Sequence, residues 1–139
     1  MRVGLLLVAG ALSLQAAASM RTIDRGSQSS IEQARTVVVR SADEWSTLWH
    51  AHAPDKPAPV VDFTKEMVVG VFLGSRPTSG YSVEIVESRQ EGDTAVVQYR
   101  EGSPARDMMT AQVMTAPYHL VAIAERMPVV KFEKLAPNP

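Results

Sequence analysis

The run Met67-Val68-Val69-Gly70-Val71-Phe72-Leu73 carries no charged or hydrogen-bonding side chain. A strand sends successive side chains to opposite faces, so a run that is apolar on both faces must be covered on both. That requirement predicts a central strand inside a layered fold. Tyr118-His119-Leu120-Val121-Ala122-Ile123-Ala124 is nearly as apolar and predicts a second such strand, followed past Arg126 and Pro128 by another over Val129 to Glu133. Tyr81 to Ser88 instead alternates, with Tyr81, Val83 and Ile85 on one side and Ser82 and Glu84 on the other. Glu91-Gly92-Asp93 punctuates it, and Thr94 to Arg100 reads as its antiparallel hairpin partner. The 139 residues leave room for one small domain.

The chain opens with Arg2 and an apolar stretch from Val3 to Leu14 and has no further charge until Arg21, with small residues at Ala16-Ala17-Ala18. This is a secretory signal pattern, too short to span a hydrocarbon core about 30 Å thick, and cleavage is expected after Ala18. Residues 1–18 are thus read as signal peptide, 19–34 as a flexible polar arm and 35–135 as the folded domain. Removing Arg2 leaves 13 basic against 15 acidic residues. The expectation is an exported protein, periplasmic or extracellular. With no cysteine there is neither a thiol for lipid attachment nor a disulfide, so no stable membrane anchor is expected and the core alone must hold the fold. Nucleic acid is not an expected partner, because phosphate affinity needs clustered Lys and Arg and here they are interspersed with acids.

Thr36 to Arg40 is a short β-branched run. Ser41 with Glu44 three residues on makes a capping box, and Trp45, Leu48, Trp49 and His52 follow at helical spacing. The two indoles are read as core against a sheet rather than a ligand box. Pro54, Pro57 and Pro59 end the helix and begin an extended connection. Met108 to Thr115 is expected as an edge strand after a loop over residues 101–107. Together these elements predict an α+β fold: a mainly antiparallel sheet, a small sandwich or partly closed barrel, with one packed N-terminal helix.

Chemical signatures are sparse. His50 and His52 point about 200° apart on a helix and cannot chelate one ion as a helical pair. Only an early helix end would let them converge with Asp55, with Met108, Met109 and Met114 as thioether donors for copper. There is no Gly-x-Ser-x-Gly elbow and no cysteine nucleophile, so no catalytic residue, metal ligand or cofactor is assigned and the chain is read as a non-enzyme. The segment that stands out joins the central strand to its neighbour: Arg76, Pro77, Thr78, Ser79, Gly80 and Tyr81. Pro77 fixes one dihedral and Gly80 is free to take positive φ, so a shaped loop is expected, either structural with Tyr81 tucked beneath it or presented to a protein partner.

Several blocks in order carry a resemblance. They are Trp45-x-x-Leu48-Trp49; Val61-Asp62-Phe63 with Lys65 to Val69; Gly74-x-Arg76-Pro77-Thr78-x-Gly80-Tyr81-Ser82-Val83-Glu84-Ile85; Ala116-Pro117-Tyr118-His119-Leu120-Val121; and Pro128 to Phe132. From about Val37 onward the chain resembles the PrcB family, in particular the C-terminal domain of that protease-complex subunit. The resemblance implies an exported protein that accompanies a secreted serine protease, as an accessory or assembly subunit with a protein partner. In some members the family is lipid-anchored, and the missing cysteine departs from that. Partner contact is expected at Arg76 to Tyr81, with Tyr81 as aromatic anchor and Arg76 as charged donor, and at the turn Pro117, Tyr118 and His119. The loop Arg76-Pro77-Thr78-Ser79-Gly80-Tyr81 is also similar to the Asn-Pro-Thr-Thr-Gly-Tyr loop of chagasin-type cysteine protease inhibitors, with Arg126-Met127-Pro128 a loose echo of their later Arg-Pro-Trp loop. That likeness implies inhibition by loop insertion as an alternative, alongside periplasmic small-ligand or metal binding.

Overall fold

The computed structural model describes residues 19–138. The expected signal segment, 1–18, lies outside the described residues. Seven strands and one helix follow in the order β1 (Met20–Gly26), β2 (Arg35–Val39), α1 (Ala42–His52), β3 (Met67–Phe72), β4 (Ser82–Glu91), β5 (Thr94–Gly102), β6 (Tyr118–Ile123) and β7 (Val129–Lys134). They build a four-stranded sheet ordered β1-β6-β3-β2 and a three-stranded sheet ordered β4-β5-β7. The fold is an open α+β sandwich, with the helix as a third layer.

The apolar runs explain the layering. Every residue of β3 and β6 is buried. Met67, Val69, Val71, Val121 and Ile123 face the three-stranded sheet, where they meet Val83, Ile85, Ala95 and Val97. Val68, Phe72, Tyr118 and Leu120 face the other way, beneath Trp45, Leu48 and Trp49 of α1. The tryptophans are core, as their spacing predicts. Their indole N–H groups donate to Pro59 O and Lys56 O at 2.9 and 2.8 Å, so the proline-rich connection folds back over the helix. Ser41 caps α1 by accepting from the Glu44 N–H. Glu44 accepts from the Ser41 hydroxyl rather than from its backbone N–H.

Two sequence expectations need correction. Residues 20–26 are not a mobile arm: they pair antiparallel with β6, and Ile31 further along is buried at 4% exposure. Polar side chains there bind buried partners, described below, in place of an apolar face. Met108 to Thr115 is not an edge strand. Its backbone bonds to the Arg76 loop, and only a single bridge, Arg76 to Thr115, has strand geometry. The sequence left the partner of the last strand open, and β6 and β7 do not pair around their turn. The chain crosses between sheets and β7 lies parallel to β5. Arg40, just past β2, donates to Met127 O and Pro128 O and fixes that crossing.

Candidate functional site

The loop from Leu73 to Tyr81 leaves β3 at the Phe72 end of the four-stranded sheet, the end where β6 begins. Gly80 takes φ 94°, the left-handed region that the sequence reserved for glycine, and a Cβ there would press on Pro104. The loop is braced by residues 111–115. Arg76 N–H donates to Thr115 O at 2.7 Å and Thr115 N–H to Arg76 O at 2.9 Å. Ser79 N–H donates to Ala111 O, the Ala111 N–H returns a bond to Ser79 Oγ, and Thr115 Oγ1 donates to Thr78 O. These reciprocal bonds make one shaped projection of two segments far apart in sequence.

Pro77 and Gly80 are exposed at its tip, and Arg76, Thr78, Ser79 and Tyr81 are half-buried. The Arg76 guanidinium stands over the Tyr81 ring, 5.7 Å from its centroid. Tyr81 also packs on the core between the sheets, as the structural reading of this loop expects, and keeps part of its ring exposed. Beside the pair, Glu101 and Lys134 form an ion pair at 2.8 Å and help line a depression of about 240 Å³. The adjoining segment adds apolar surface that sequence reasoning assigned to a strand: Met108, Met109, Val113 and Met114 are 55, 99, 48 and 66% exposed. Soft thioethers beside a guanidinium and an aromatic ring suit contact with another polypeptide.

Pro117, Tyr118 and His119 lie at the same end of the sheet but are buried, so they add no exposed surface beside the loop. Tyr118 turns toward the helix layer. Burial first, then the Asp24 carboxylate, hold its phenol protonated well above the ordinary value. His119 turns inward. Its Nδ1 accepts from Ile85 N–H at 2.8 Å, so Nε2 carries the proton and donates to Thr22 Oγ1 at 2.9 Å. Burial, aided by the nearby Arg25 charge, pushes its pKa down to about 4.

The structure also assembles a serine, histidine and aspartate that the sequence gave no reason to group. Ser29 Oγ lies 2.8 Å from His52 Nδ1, and His52 Nε2 lies 3.0 Å from Asp24 Oδ2. Ser29 Oγ also accepts from Ile31 N–H, while the Ser29 and Ser30 amides donate to Ala116 O and His52 O. The amides of Ser29, Ser30 and Ile31 are therefore already bonded, and the line fastens residues 24–31 to α1. His50 is exposed and diverges from His52, so the pair does not converge with Asp55. Among the described residues no group of three His, Cys, Asp or Glu side chains is placed to hold a metal ion, and no helix is long and apolar enough to cross a membrane.

The loop likeness to the inhibitors meets a geometric obstacle. Residues 124–128 follow Ile123, which pairs with Met67 at the far end of the sheet from Phe72 and Tyr118. Arg126-Met127-Pro128 and the Arg76 loop thus sit at opposite ends and cannot enter one cleft together.

These elements define an open α+β sandwich with a braced pair of loops at one end of its four-stranded sheet. Residues 67–124 match the family model described as PrcB C-terminal. This stretch runs from β3 through β6 and contains the entire loop pair, and over it the PrcB resemblance read from the sequence stands; α1 and β7 lie outside the match. No curated protein and no solved structure matches the chain.

Proposed function

We propose that this chain is an exported, non-catalytic interaction domain that serves as an accessory or assembly subunit for a secreted or envelope protease, and that it engages its partner through Arg76 to Tyr81. The observation that carries this reading is the match to a protease-complex subunit domain over residues 67–124, the stretch that contains the projecting loop and the segment bracing it. Arg76 offers charge-assisted donors, Tyr81 an aromatic edge, and the neighbouring methionines an adaptable apolar rim.

The test is capture from the exported fraction of the source cells, using the purified protein as bait and the Arg76→Ala/Tyr81→Ala variant as control, with casein hydrolysis measured in the eluate. The expected result is proteolytic activity with the native protein and its loss with a variant whose circular dichroism is unchanged. Equal activity in both eluates, or none in either, contradicts the proposal.

A further inference from the structure

The sandwich has four edge strands, and three of them carry the features that discourage edge-to-edge pairing. β1 has a bulge and the charges Arg21, Asp24 and Arg25; β4 is bulged and rich in Glu and Arg; β7 carries Lys131, Glu133 and Lys134. β2 is different. After Arg35 it reads Thr36-Val37-Val38-Val39, with no bulge, no proline and no further charge. It pairs with β3 on one side, and among the described residues no other backbone hydrogen bond reaches 35–39. Its outer N–H and C=O groups are an open ladder.

That ladder is the floor of a groove of about 520 Å³. Val37, Val38 and Val39 all line it, and three consecutive strand residues can be reached together only from the strand's edge, because their side chains alternate between faces. The wall is one face of α1, made by Asp43, Glu44, Thr47, Leu48 and Ala51. Charge is divided along the groove. Arg35 lies at the start of β2, and Asp43 and Glu44 lie in the first turn of the helix that follows its end. Among the described residues none of these three side chains has a salt-bridge partner.

We propose that this groove holds the β2 strand of a second copy of the chain, antiparallel to the first, joining two four-stranded sheets into one. The two-fold arrangement explains the charge layout: antiparallel pairing sets Arg35 of each copy at the Val39 end of the other, beside Asp43 and Glu44, and does so twice. It also faces the two helices across the seam through Thr47 and Ala51, small enough for helices to approach at about 8–10 Å. The residues lining this groove are distinct from those of the Arg76 loop and the depression beside it.

The test is sedimentation equilibrium of the purified protein over a range of concentrations, with hydrogen exchange read at residues 35–39. The expected result is a reversible monomer–dimer equilibrium with slower exchange across β2 in the dimer. Arg35→Glu should raise the dimer Kd at least about tenfold, and so should Asp43→Arg/Glu44→Arg; the triple variant carrying both changes should return to within about threefold of the native value. Circular dichroism checks that each variant folds. A monomer throughout, a dimer whose β2 exchange is independent of concentration, or charge variants without rescue would overturn the proposal, and in the first case an edge that slows its exchange only on adding protease partner would assign the groove to that partner instead. Capture through Arg76 and Tyr81 is measured separately, so either reading can fail without the other.

Discussion

Asp24 Oδ2 stands 3.0 Å from Nε2 of His52, a histidine 1% exposed beneath the aromatic rings of Trp49, Phe72 and Tyr118. Thr22, two residues earlier, holds the other buried histidine, His119, on the opposite face of the sheet. In a regular strand residues 22 and 24 would share a face. The bulge between them prevents this: Thr22 pairs with Val121 of the inter-sheet core and Asp24 with Leu120 of the helix-side core. One irregular strand therefore satisfies a buried imidazole in each core.

Asp24→Ala should destabilise the protein by about 1–3 kcal/mol, because it leaves the His52 Nε2–H buried without an acceptor. Asp24→Asn, which keeps an amide oxygen in reach, should cost less. Urea unfolding of the three proteins measures both, and equal stability would show that the bond to His52 contributes nothing.

His119 gives the fold an acid limit. Its folded-state pKa of about 4 lies below the ordinary 6.5, so the unfolded chain takes up this proton first as pH falls. The stability contributed by the neutral ring is complete above about pH 6.5, declines as pH falls toward 4 and levels off below that. The loss across the window is on the order of 3 kcal/mol. His119→Gln should flatten the stability profile between pH 4 and 6.5, which thermal melts across that range would reveal; an unaltered slope would place the acid sensitivity elsewhere.

The methionines divide by environment. Met108, Met109 and Met114 are exposed, whereas Met67 and Met127 are buried at 0 and 7%. Brief peroxide treatment should convert the first three to sulfoxides while the other two remain intact and the fold persists. Peptide mass mapping with circular dichroism reads both, and early oxidation of Met67 would mean that the core opens on the timescale of the reaction.

Much of the scaffold was legible because burial on two faces leaves a mark in composition. The runs 67–73 and 118–124 announced strands between two layers, and Trp45, Leu48 and Trp49 announced the helix that covers one of them. β1 was not legible. Its Thr22 and Asp24 look solvent-directed in sequence, and only the placement of His119 and His52, dozens of residues away, turns them into core partners. The parallel pairing of β7 with β5 likewise depends on a crossing held by Arg40, which no local pattern encodes. In the candidate site, Pro77 and Gly80 signalled the loop correctly, but Tyr118 and His119 belong to a strand apolar on both sides, and that same pattern buries them.

The proposed contact of Arg76 to Tyr81 with a protease partner is open to direct crosslinking. A photoreactive benzoylphenylalanine placed at Thr78, within the loop, should crosslink to a protease in the exported fraction. The same probe at Val60, 92% exposed in the connection folded over the helix, should not. A protease-containing adduct identified by mass spectrometry from position 78 alone is the predicted result. Adducts from position 60 alone, or in equal yield from both, would contradict it.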